Sequence, residues 1–130
     1  MENKINIISW IVRLIAAVIF FQTLYFKFTA HPDSVYIFSE LGIEPYGRIG
    51  IGILELICGT LLLIPRTAGI GAFLGVGVIS GAILAHLTRL GIEVKGDGGT
   101  LFYLAVVVFV CCSITVFIHR KDIPILRKYV

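Results

Sequence analysis

The chain has 130 residues, 58% of them hydrophobic and 15% charged, against about 25% charged in an ordinary soluble domain. A mean hydropathy of +0.98 makes lipid its main solvent, and the length leaves room for one domain and no separate soluble module. The net charge of +3 is small, and the basic residues gather at the ends of hydrophobic runs, which suits lipid headgroups and speaks against nucleic acid as a partner.

After a polar start with Lys4, Ile7–Phe26 forms the first apolar run, interrupted by Arg13 and Gln22. At about 20 residues it is too long for the core of a cleaved signal peptide and has no small-residue cleavage site behind it, so it is expected to stay as a transmembrane helix over about 7–27. The connection from Lys27 to Gly47 holds Pro32, Gly42, Pro45 and Gly47. Its Asp33–Leu41 stretch is amphipathic, with Asp33 or Ser34 the expected N-cap and Gly42 the expected stop of a short extra helix.

The second run, RIGIGILELICGTLLLIP, is expected to be helical over 48–64 and carries a single carboxylate, Glu55, near its middle. After a Pro65-Arg66-Thr67 turn, the third run (68–88) is rich in small residues. Gly71 and Gly75, and again Gly77 and Gly81, have the spacing that lets membrane helices approach closely, so this helix is expected to be the most buried. The glycine-rich TRLGIEVKGDGG follows, with a turn signal at Lys95–Gly99 and a short extended excursion at Ile92–Val94. The fourth run, 100–118, is the most uniformly apolar. The fold expected is all-α, a four-helix transmembrane bundle.

Four crossings put both termini on one side. That side has Lys4, Arg66, Arg120, Lys121, Arg127 and Lys128, and Arg13 is expected to snorkel toward it. The other has Lys27, Arg48, Arg89 and Lys95 with most of the acids. The excess of basic residues assigns the termini to the cytoplasm and the two longer loops to the outside. Cys58, Cys111 and Cys112 all lie within apolar runs, in no CxxC or zinc pattern, and read as small core side chains.

An ionisable group at bilayer depth requires a partner, a wet cavity or a proton. At about 1.5 Å per residue below a boundary at Lys27, Arg48 and Arg89, Gln22 lies roughly 7 Å deep, Glu55 roughly 10 Å and His86 roughly 5 Å, with Lys27 at the boundary itself. Gln22, Lys27, Glu55 and His86 thus form the candidate polar pocket. Thr23, Tyr25 and Thr88 are candidates for its rim. Arg13, roughly 20 Å down, is too deep to be the mate of Glu55. A Glu55–Lys27 ion pair is expected, with His86 bonding either Glu55 or a ligand. His31 and His119 are expected to titrate in water.

The segments FKFTAHPDS (Phe26–Ser34), GIGILELICGTLLLIPRT (Gly50–Thr67) and AHLTRLGIEVKGDGG (Ala85–Gly99), in this order, resemble the DoxX family of small bacterial membrane proteins over nearly the whole chain. The resemblance implies a four-helix membrane domain in the bacterial inner membrane. It also implies a likeness to a membrane subunit of thiosulfate:quinone oxidoreductase, and characteristic polar positions at Lys27, Glu55 and His86.

Three functions compete. The first is a redox-linked membrane subunit whose pocket holds a quinone or another small lipophilic molecule. No flavin, haem or iron–sulfur motif is present, so an electron carrier belongs to a partner protein. The second is an assembly module, with the polar cluster as interhelical glue and lipid, a partner protein or a second copy of the chain as its neighbours. The third is an oligomeric transporter or proton path through Arg13 and Glu55. Haem ligation by His86 lacks a second histidine at matching depth, and no metal is expected.

Overall fold

In hydrocarbon every backbone amide must be paired within its own segment, so apolar runs of this length fold as helices. The computed structural model describes residues 2–94 and 96–123; Lys95, Arg127 and Lys128 lie outside the described residues. Its helices are α1 (Glu2–Phe28), α2 (Pro32–Glu40), α3 (Tyr46–Leu63), α4 (Ala68–Ala85) and α5 (Thr100–Ile118), with a π-helical turn at His86–Leu90 and a 3-10 turn at Arg120–Asp122. Among the described residues α1, α3, α4 (continued through the π turn) and α5 are long and apolar enough to cross a membrane. This is the all-α four-helix bundle expected, with α2 as the extra short helix.

The helices form a closed ring. α1 packs on α3 and α5, and α4 packs on the same two. Between them lies a core of small and medium side chains, among them Ala16, Phe20, Cys58, Leu62, Ala72, Val108 and Cys112. Large apolar side chains such as Ile7, Val18, Leu56, Leu84 and Phe117 point outward, the arrangement a bilayer requires. The three cysteines are buried free thiols.

One end of the bundle, the terminal end, joins Ser9, the α3–α4 turn and His119. The other, the cavity end, carries α2, the π turn and the loop before α5. Local chemistry fixes each connection. α2 is capped by His31, whose Nδ1 accepts the Asp33 amide at 3.2 Å, and not by Asp33 or Ser34. Pro32 takes the first helical position, where its missing N–H costs nothing. Gly42, at φ +75°, ends the helix. Thr67 Oγ1 donates to Leu61 O at 3.0 Å and closes the α3–α4 turn. No strand forms at Ile92–Val94. The chain bends there instead, and the Val94 amide donates to Asp97 Oδ1.

α4 is no more buried than α1 or α3, since 33% of each span is enclosed. The reason is that its glycine pairs face different ways. A Cβ at Gly71 would lie 2.7 Å from Leu61 Cβ, and one at Gly75 2.9 Å from Cys112 Sγ, whereas at Gly77 and Gly81 nothing lies within 4 Å. Only the first pair serves close helix approach.

Candidate functional site

Thr23 and Lys27 are four residues apart on α1 and therefore share a face. That face meets Glu55 of α3. Lys27 Nζ lies 2.8 Å from Glu55 Oε1, with side chains 14% and 7% exposed. Thr23 Oγ1 donates to Glu55 Oε2 at 2.7 Å. Both carboxylate oxygens are thus held from α1. The backbone that bears Lys27 is itself fixed, because Arg48 Nη1 donates to Lys27 O while Arg48 Nε pairs with Glu44 Oε1 at 2.8 Å. The Arg48 cation sits on the carbonyl end of α1, where the helix dipole favours positive charge.

His86, 6% exposed, begins the π turn. Its Nδ1 lies 3.0 Å from Gly91 O, and Phe102 of α5 meets its ring edge-on at 5.6 Å. Asp97 lies close enough to His86 to feel its charge. The Asp97 carboxylate accepts three backbone amides, from Val94 at 3.0 Å, Gly99 at 2.8 Å and Leu101 at 3.2 Å. Burial pushes its pKa up, but these donors and His86 outweigh that and hold it below the ordinary carboxylate range.

Thr23, Lys27, Glu55, His86 and Asp97 line one cavity of about 680 Å³ between α1, α3, α4 and α5, with α2 at its mouth. That size falls within the range of small-molecule sites. Its walls are mostly apolar, from residues such as Phe20, Ile37, Phe38, Ile79 and Val108, and Gln22, Thr23, Lys27, Glu55, His86 and Asp97 supply polar atoms. A shallower apolar groove of about 420 Å³ runs along the outside of α3 and α4. Ile51, Val78 and Gly81 line both spaces.

Of the four candidate residues, Lys27 and Glu55 form a direct pair. Gln22 lines the cavity but is exposed and makes no hydrogen bond to the other three among the described residues. His86 also lines it and bonds Gly91, not Glu55. Of the rim candidates, Thr23 belongs to the site. Tyr25 is 66% exposed, and Thr88 donates back to Leu84 O within its own helix turn; neither lines the cavity. Asp97 and Arg48 were not selected on sequence. The signal for Asp97 was an acid shortly before an apolar run, two residues ahead of the Gly99 N-cap of α5.

Arg13 lies at the other end. Its Nε donates to Leu62 O at 2.6 Å, seven residues or about 10 Å along α3 from Glu55. It does not snorkel outward: it is 2% exposed, its guanidinium lies 3.9 Å over the Trp10 ring, and Nη2 has no hydrogen-bond partner. At the same end Ser9 Oγ and His119 Nε2 are hydrogen-bonded at 2.8 Å, with Ser9 about one helical turn before Arg13 on α1. His31 caps α2 and His119 joins α5 to α1. Among the described residues no three His, Cys, Asp or Glu side chains stand together as a metal site.

The family model described as the DoxX-like family matches residues 11–115. The chain belongs to the DoxX-like family. The match spans Thr23, Lys27, Glu55, His86 and Asp97, so the whole cavity end falls inside the DoxX-like region. With its four apolar helices, this DoxX-like chain is a multi-pass membrane protein. Comparison with curated proteins and with solved structures gave no match.

Proposed function

We propose that the protein is a bacterial inner-membrane subunit whose cavity holds the head of a small lipophilic molecule, of the quinone type, within a redox-linked complex. The termini are cytoplasmic and the cavity lies in the outer half of the bilayer, following the excess of basic residues on the terminal side. The observation that carries this reading is the buried Lys27–Glu55 pair at the wall of an otherwise apolar space of about 680 Å³. An apolar pocket with a few convergent polar groups suits a ring with oxygen substituents. Lys27 spends one N–H on Glu55 and keeps two for a ligand oxygen. The electron carrier is a partner's.

A second reading has a specific observation behind it. Thr23 and Lys27 of α1 grip both oxygens of Glu55 on α3, which is what an interhelical staple in a non-catalytic assembly module does. Calorimetric titration of the protein in nanodiscs with short-chain quinone analogues separates the two. Trp10, the only tryptophan, stacks under Arg13 at the far end, so its fluorescence is the wrong probe. Saturable binding that weakens about tenfold in Glu55→Gln is expected, from loss of the ionised acceptor that holds Lys27 in place. No saturable binding, with Glu55→Gln only less stable, supports the staple.

A further inference from the structure

The hydrogen-bond geometry of His86 specifies which oxidation level of such a ligand the cavity suits. A carbonyl oxygen only accepts, so the 3.0 Å contact with Gly91 O requires the proton on Nδ1. The fold enforces this. The Gly91 amide donates back to His86 O at 2.7 Å and closes the π turn, and Gly91 holds φ +78°, which favours glycine. Residue 86 and residue 91 therefore bond each other twice, once through backbone alone and once through the ring. In the neutral imidazole the remaining nitrogen, Nε2, is a bare lone pair. Among the described residues nothing donates to it, although His86 is nine-tenths buried and lines the cavity.

We propose that His86 Nε2 accepts a hydrogen bond from a ligand hydroxyl, so that the cavity selects hydroxyl-bearing, hydroquinone- or phenol-type lipophiles over their carbonyl-bearing counterparts. A hydroxyl oxygen donates to His86 and still accepts elsewhere. A quinone oxygen accepts from Lys27 equally well but turns a lone pair toward the lone pair of Nε2, leaving a buried acceptor unpaired. Protonating His86 converts Nε2 into a donor and removes the preference. The charged groups that share its surroundings are Asp97 in the loop before α5, Lys27 on α1, Glu55 on α3 and Asp33 on α2.

This inference rests on the cavity being a ligand site, and the experiment separates the two. Three probes on one short-chain scaffold are titrated anaerobically into the protein in nanodiscs: a para-hydroquinone, the matching para-quinone and the hydroquinone dimethyl ether. At about pH 8 the hydroquinone is expected to bind about tenfold more tightly than either other probe. His86→Phe removes the ratio and leaves quinone binding within about twofold. The three-probe comparison on the unaltered protein needs no variant and decides the matter if His86→Phe does not fold. Equal affinity for all three probes at high pH, or a quinone preference there, overturns the role of His86 while leaving the ligand site intact. Binding of none overturns the ligand site and this inference with it.

Discussion

Both ends of the bundle bury a cation, and they treat it in opposite ways. At the cavity end Lys27 meets a full counter-charge, Glu55, and the pair borders open space. At the terminal end Arg13 meets a helix-end carbonyl, Leu62 O, and an indole face, and packing fills the surroundings. Leu62 O is among the last four carbonyls of α3, which have no intrahelical donor and carry the negative end of the dipole. A partial charge and a π face thus suffice to seat a cation where nothing else needs to enter. A full carboxylate beside a cavity is more than seating requires, and that excess is what the proposed ligand site rests on.

The largest effect is expected from breaking the ion pair. Glu55→Leu leaves Lys27 unpaired in an apolar wall, and removing one partner of a buried pair costs about 3 kcal/mol or more. Lys27→Met combined with Glu55→Leu recovers most of that loss, because no charge is stranded. Arg13→Met stays within about 1 kcal/mol of the unaltered protein. It forfeits one charge-assisted hydrogen bond but also removes Nη2, an N–H already without a partner, and the two are of similar size. Denaturant unfolding in a fixed detergent measures all three. An Arg13→Met protein as unstable as Glu55→Leu would erase the distinction between the two ends.

The depth of Lys27 and Glu55 was legible in the sequence because a helix rises by a constant step, so level follows from counting. Rotation about each axis does not follow from counting. Gln22 lies at the right level and lines the cavity yet makes no hydrogen bond to the other three among the described residues, and His86 turns to Gly91 because a π turn begins at that residue. Arg48 and Asp97 escaped notice for another reason. They act through backbone groups of distant or looped residues, Lys27 O in one case and the Val94, Gly99 and Leu101 amides in the other, and no periodicity reports such contacts. GxxxG spacing announced close approach twice on α4, but only the neighbour decides whether it occurs.

The glycines sharpen the same contrast at smaller scale. Gly71 lies in the filled half of α4, where an added methyl meets Leu61 Cβ at 2.7 Å and the Leu62 backbone nitrogen at 2.9 Å. Backbone does not yield as a side-chain tip does, so Gly71→Ala is expected to cost about 1–3 kcal/mol by overpacking. Gly77 lies in the open half, with nothing within 4 Å. Gly77→Ala is expected to be neutral or to stabilise by about 0.5 kcal/mol, since alanine is the better helix former. Thermal melting of the two variants side by side is the check, and equal losses would show that the filled and open halves do not differ.

The smallest effect belongs to the loop that borders the cavity. Asp97 clasps the loop, because its two oxygens take the Val94, Gly99 and Leu101 amides. Its folded pKa is held below the ordinary value. A depressed carboxylate pKa means that the folded state binds the proton less readily than the unfolded one. The contribution is therefore fully present above the unfolded value near pH 4 and is lost as pH falls through the lower folded value. Hydrogen exchange at the Gly99 and Leu101 amides should consequently speed up only in strong acid for the unaltered chain. In Asp97→Ala it should be fast already at neutral pH, while amides near Arg13 at the terminal end keep their protection in both. If the Asp97→Ala loop stayed as protected as the original, the clasp would be dispensable, and the cavity end would be held by its helices alone.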